Sequence, residues 1–320
     1  MRYLLPSKEK SSCFYPQIPR RRPFIFVGDA AGPPVLSPDG KNLAFVAAKA
    51  SEAPQIYVRP LGSLDAHALP GTDNAWAPFW SPDGRRIGFL VEGKLKVIGL
   101  QGGTPVSVAD APNGRGGSWS QNGEILFAPD FTSPIYRVPA SGGTPVAVTQ
   151  VDHSKHTSHR WPYVLPDGKH FLYLATNHQS PRDENGGIYQ ASVDDKENMR
   201  LKTAFTNPEY AAGSLLYVRD GALMAQGFDP SAGRLREDEQ LVANGVTEDG
   251  TTWRAAFTVS SNGLLAYGSG AQPQSQLGRY DRAGKQLETL GEKFGALRIG
   301  FREPRLSPSG DRVALSIQTQ

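Results

Sequence analysis

Cysteine is nearly missing from this chain. Cys13 is the single one among 320 residues, so no disulfide can form within the chain, and its polar N-terminal surroundings give it no reactive setting. Long apolar runs are missing too: none approaches the roughly 20 residues that a membrane-crossing helix needs. Residues 1–5, stopped by Pro6, are too short for the apolar core of a secretory leader, so the chain is expected to carry no address of its own. Nor does one sign of charge dominate. The formal net charge is +3, and the one basic run, Arg20-Arg21-Arg22, reads as a solvated tail, so no nucleic-acid partner is expected. The signatures of a self-sufficient enzyme are also lacking: there is no Gly-x-Ser-x-Gly elbow, no phosphate loop and no paired cysteines at zinc spacing. A noncatalytic chain without a cofactor is the expectation.

What the chain has in quantity is turn residues, 35 glycines and 26 prolines, beside 38% apolar and 20% charged residues. That balance favours many short strands joined by tight turns. The turns recur. Gly40, Gly84, Gly123, Gly168, Gly213, Gly263 and Gly310 close copies spaced about 45 residues apart, the period of a four-stranded propeller blade. Ser37-Pro38-Asp39-Gly40 and Ser81-Pro82-Asp83-Gly84 are the fullest copies, with Ser, Pro and Gly where a type I turn favours them. The recurring Asp39, Asp83 and Asp167 read as caps of the turn backbone rather than as acid–base groups. In Ser120-Gln121-Asn122-Gly123 and Ser260-Ser261-Asn262-Gly263 an Asn-Gly pair replaces Pro, and the copy at Gly213 survives only in its spacing.

After each glycine come two large apolar residues two apart, such as Leu43/Phe45, Ile87/Phe89, Ile125/Phe127 and Phe171/Tyr173, which share one face of a strand. Before the turns, Leu36, Trp80, Trp119, Val164, Val259 and Leu306 occupy one equivalent position, assigned to the innermost strand of a blade, where Trp80 and Trp119 read as core. A third strand such as Gln55-Ile56-Tyr57-Val58, then a Gly-Gly turn and a short outer strand such as Gly102-Gly103-Thr104-Pro105-Val106, complete the unit. One such unit cannot bury its own apolar faces, whereas a ring can. The expected fold is therefore all-β: a single β-propeller of four-stranded antiparallel blades over residues 24–320, following a poorly ordered tail over 1–23. Seven blades are expected, with six as runner-up. The last copy ends too soon for four strands, so its blade is either incomplete or closed by an N-terminal strand, for which Phe24-Ile25-Phe26-Val27 is the candidate.

One constellation stands apart from the repeat. His153, His156 and His159 recur every third residue and lead into Arg160, Trp161 and Tyr163, in a segment read as the loop entering the fourth blade. Three imidazoles suit a transition metal. Side chains three apart on an extended chain alternate faces, however, and no Cys or carboxylate offers a clear further ligand. Metal binding is the weakest reading, below contact with a ligand and below ordinary hydrogen-bonded packing. The binding candidates are His156, His159, Arg160 and Trp161, since Arg and Trp are favoured at binding hot spots.

Ser-Pro-Asp-Gly turns followed by such strands resemble the TolB-like branch of WD-type propellers, over about residues 24–320. Ile56-Tyr57-Val58-Arg59-Pro60-Leu61, Ser158-His159-Arg160-Trp161-Pro162 and Tyr280-Asp281-Arg282-Ala283-Gly284 resemble more narrowly the propeller region of bacterial eukaryotic-like serine/threonine kinases. That resemblance implies a sensor or interaction module of a bacterial signalling or envelope protein, extracytoplasmic where it is attached to a membrane-spanning kinase. It implies no phosphotransfer here, because the Gly-rich loop and the His-Arg-Asp and Asp-Phe-Gly motifs are absent. The expected function is noncatalytic binding, by a monomer, of a protein, peptide or small-molecule ligand at one propeller face. Two alternatives stand beside it: a propeller-fold glycan lyase or hydrolase with a metal on His153, His156 and His159, and a truncated propeller fragment of a receptor-like kinase.

Overall fold

Serine hydroxyls and left-handed glycines build the turns of the repeat. In the first copy Ser37 Oγ donates to Asp39 Oδ1 at 2.6 Å and accepts from the Asn42 amide at 2.9 Å, while Gly40, at φ 68°, donates its amide to the Ser37 carbonyl. Ser81 and Asp83 repeat the arrangement ahead of Gly84, and Ser260 and Asn262 ahead of Gly263. Only glycine adopts such a φ without steric cost, which is why every copy ends on it. Each turn joins an inner strand to a second strand in the register that the repeat predicts. Leu36 faces Leu43, Trp80 faces Ile87, Trp119 faces Ile125, Val164 faces Phe171 and Val259 faces Leu265.

The computed structural model describes residues 32–49, 52–195, 198–269, 302–308 and the strands Tyr3–Leu4, Ser275–Tyr280, Gln286–Phe294 and Val313–Ser316. Met1–Gly268 form one compact unit and Ser269–Gln320 another. In the first unit lie five four-stranded antiparallel sheets, each a simple meander, whose inner strands are Val35–Leu36, Trp76–Trp80, Gly117–Trp119, Ser158–Val164 and Glu209–Ala211. A sixth sheet has three strands, Phe257–Val259, Leu264–Tyr267 and Tyr3–Leu4, with Tyr3 opposite Leu265 and Leu4 opposite Leu264. The fold is an all-β propeller.

Neighbouring sheets are stitched to one another around the ring. Trp80 Nε1 donates to the Val35 carbonyl, the Val164 amide to Ser118 Oγ, and Tyr163 OH to the Tyr210 carbonyl. The Val259 amide donates to Glu209 Oε2, and the Leu36 amide to Thr258 Oγ1. This last bond, with Ser261 N donating to the Pro38 carbonyl at 3.0 Å, joins the sixth sheet to the first. Apolar clusters fill the wedges: Val58, Ile87 and Phe89 between the first two sheets, Leu126, Phe171 and Tyr173 between the third and fourth, and Tyr217, Leu172 and Ile188 between the fourth and fifth.

The expectation of seven four-stranded blades is corrected: among the described residues five four-stranded blades are found, with a sixth sheet of three strands. The inner strand of the three-stranded sheet meets the first sheet. Within Ser269–Gln320, Ser275–Tyr280 pairs antiparallel with Gln286–Phe294, and Arg302–Leu306 with Val313–Ser316. Leu306 faces Val313 as the repeat requires, while the Gly310 turn and the run 24–27 lie outside the described residues. No helix long and apolar enough to cross a membrane occurs among the described residues.

Candidate ligand-binding cavity on the propeller axis

The run 158–164 is an inner strand of the fourth sheet rather than a loop, and this decides where its side chains go. His156 and His159 point into packing. His156 Nε2 lies 2.9 Å from the Asn185 carbonyl, His159 Nδ1 lies 2.9 Å from Thr149 Oγ1, and the His159 ring packs 4.7 Å from that of Tyr173. Burial, reinforced by His156 and His153, pulls the His159 imidazole down to about 3, so it is neutral at physiological pH. His153 is exposed, and among the described residues no group of three His, Cys, Asp or Glu side chains is gathered as metal ligands.

Arg160 is fully buried. Its Nε and Nη2 donate to Ser158 Oγ, Nη2 to the Phe131 carbonyl and Nη1 to the Thr252 carbonyl; Nη2 also lies 3.0 Å from His178 Nε2. The guanidinium lies 4.3 Å from the Trp253 ring. Burial, with Arg115 nearby, brings its pKa down to about 9 against the opposing pull of Asp249. Thr252 and Trp253 belong to the hairpin of Glu248–Asp249 and Arg254–Ala255, whose turn reaches the fourth sheet from beside the sixth. Arg160 therefore fastens that hairpin in place.

Trp161 alone of the four candidates reaches the axis. The inner strand bulges between Arg160 and Tyr163, with Trp161 at φ 53°, and the second sheet bulges likewise between Trp76 and Phe79, with Ala77 at φ 48°. A bulge re-aims a side chain that regular pleating would send elsewhere. Trp161 Nε1 donates to the Thr252 carbonyl at 2.8 Å, and its ring packs over Gly116, where any Cβ would lie 2.4 Å from the indole.

The inner strands enclose a cavity of about 410 Å³ on the axis. Its rim is made by turn residues, one from each sheet: Pro38, Pro82, Gln121, Pro166, Ala212 and Ser261. Deeper, the wall is Val35, Phe79, Trp80, Trp119, Trp161 and Tyr163, and it carries a carboxyl and a guanidinium, Glu209 and Arg254. Trp80 and Trp119 pack in the core as expected and present the remaining edge to the cavity. Burial raises the Glu209 carboxyl to about 8, opposed by the Val259 amide and by Arg254, so at neutral pH it is mostly protonated. Arg254 stacks 4.7 Å from the Trp161 ring, and burial lowers it to about 10, which leaves it a cation. Burial and the Glu209 carboxyl both raise the Tyr163 phenol.

Glu209 and Arg254 were not legible as a pair in the sequence. They stand 45 positions apart, Glu209 in the repeat that has lost its turn and Arg254 ahead of the last strand pair of the ring. The one available signal was a carboxylate at an inner-strand position where the other copies carry the uncharged Val35, Phe79, Ser118, Tyr163 and Thr258.

No family model matches the chain. It is 30% identical over 261 residues to the uncharacterized protein Atu1656 of Agrobacterium fabrum, covering 74% of this chain and 83% of that protein. Among solved structures, TolB from Acinetobacter baumannii superposes with a TM-score of 0.51 at 16% identity, over 70% of this chain. The match spans 55% of that TolB chain's length. An oligogalacturonate lyase in complex with manganese superposes with a TM-score of 0.51 at 14% identity, over 89% of this chain and 84% of that one. These structures share the β-propeller fold.

Proposed function

We propose a function from one premise: the chain belongs to the family of the uncharacterized protein Atu1656 of Agrobacterium fabrum, whose name assigns no activity. The function is noncatalytic binding, with a small molecule held in the axial cavity. The observation that carries this reading is the cavity itself, about 410 Å³, with a rim residue from every sheet and three tryptophans in its wall. That volume falls in the range of small-ligand sites, which are mostly apolar with a few placed polar groups. A cavity of that volume suits a small molecule or the end of a chain rather than a whole folded surface. The two buried histidines belong to the scaffold, and Trp161 is the contact residue among the sequence candidates. A setting in bacterial signalling or envelope assembly rests on the sequence resemblance.

The test is a thermal-shift survey of small molecules against the native chain and a Gln121→Trp/Ser261→Trp variant. Both positions are exposed turn residues on the rim, so the substitutions obstruct the mouth and leave the core alone. Ligands that raise the melting temperature of the native chain are expected to lose that effect in the variant, whose own melting temperature stays within a few degrees of native. Equal shifts in both proteins would place binding elsewhere and overturn the reading.

A further inference from the structure

The inner wall of the cavity holds a guanidinium that forms no ion pair among the described residues. Arg254 forms no ion pair and its guanidinium donates no hydrogen bond among the described residues; its Nε is buried without a partner. One face of the guanidinium is occupied by Trp161, and an Nη lies 3.8 Å from where a Cβ would stand on Gly32, so the group extends toward the first and second sheets. A buried donor left unpaired is destabilising by itself, and a guanidinium has a planar fork of donors that matches a carboxylate. The groups around Glu209 are few. Tyr163 faces it from the fourth sheet, Arg254 from the hairpin and the Val259 amide from the sixth sheet, and all leave its proton in place at neutral pH. Among the described residues the cavity thus carries a guanidinium with no ion-pair partner, while Val35, Phe79, Trp80 and Trp119 around it offer apolar and aromatic surface.

We propose that the axial cavity selects a carboxylate borne on a compact apolar body, the carboxylate pairing with the free edge of Arg254 and the body packing against Phe79, Trp80 and Trp119. This rests on the cavity being the binding site. A small organic acid and the C-terminus of a peptide present the same chemistry, and the test separates them. Glu209 sets the pH window: once ionised it neutralises the field of Arg254, so anion binding weakens as pH rises above about 8.

The experiment is calorimetric titration of the whole chain with phenylacetate, with its neutral isostere phenylacetamide, and with a pentapeptide ending in phenylalanine, its C-terminus free or amidated. The account expects the acid, or the free-terminus peptide, to bind about tenfold or more tightly than its amide, as a charge-assisted fork contact implies. Binding by the acid identifies a small-molecule source, and binding by the peptide alone identifies a chain end. Arg254→Gln is expected to erase the preference. Should that variant fail to fold, Glu209→Gln serves: it removes the weakening of acid binding between pH 7 and 9. Equal affinity for acid and amide, or a pH profile unmoved by Glu209→Gln, overturns the proposal. If no carboxylate binds while rim-sensitive ligands from the thermal survey do, carboxylate selection fails and the cavity reading stands; if neither binds, both fail.

Discussion

Arg160 and His159 are adjacent and buried, and they solve burial differently. Arg160 keeps its charge and spreads its donors over two carbonyls, a serine hydroxyl and the Trp253 face. His159 gives up its charge. With its pKa drawn down to about 3 from 6.5 by burial and by His156 and His153, the folded chain resists a proton that the unfolded chain takes up readily. The contribution is absent above pH 6.5 and destabilises progressively as pH falls from there toward 3, by about 1.4 kcal/mol per pH unit. Denaturant titrations at pH 7, 6, 5 and 4 should show that slope, and His159→Asn should flatten it. An unchanged slope in the variant would show that His159 is not the titrating group. The sequence singled out both residues as contacts because of their types. The burial of Arg160 was hidden, since the carbonyl that it meets at Thr252 lies 92 residues away along the chain.

At the scale of the element, the informative feature is the bulged inner strand of the fourth sheet, fitted against its neighbour in the third. Gly116, at φ 85°, lies under the Trp161 indole, and the Trp161 amide donates to the Arg115 carbonyl. A methyl group on Gly116 has no space and the wrong backbone preference, so Gly116→Ala should displace the indole from the cavity wall and destabilise the chain by on the order of 2 kcal/mol. Near-UV circular dichroism and denaturant unfolding together check this; a native tryptophan band with native stability would mean that the contact is slack. The strands themselves were legible. Leu36 against Leu43 and Trp119 against Ile125 follow from the turn chemistry and from alternation two residues apart, both local. The bulges were not, because the extra residue at Ala77 or Trp161 is imposed by the sheet alongside and leaves no mark on local pattern.

For the whole molecule, the repeat period revealed a ring but could not count it. Periodicity continues through Leu306 and Val313 with the same strand pairing, so by pattern alone the final copy counts as another blade. Closure is instead a matter of angles summed around an axis, and it is recorded in contacts such as Thr258 with Leu36, 222 residues apart. The same closure creates the cavity, because it gathers one turn residue from each sheet at the rim and brings Glu209 and Arg254 to the inner wall. Fold and site therefore stand together. A crystal structure of the chain with a stabilising ligand from the thermal survey tests both most directly. The account predicts the sixth sheet paired against the first and ligand density inside the ring, between Trp80, Trp119 and Trp161. Density confined to the outer edges of the sheets, or inner strands of the first and sixth sheets standing apart, would contradict it.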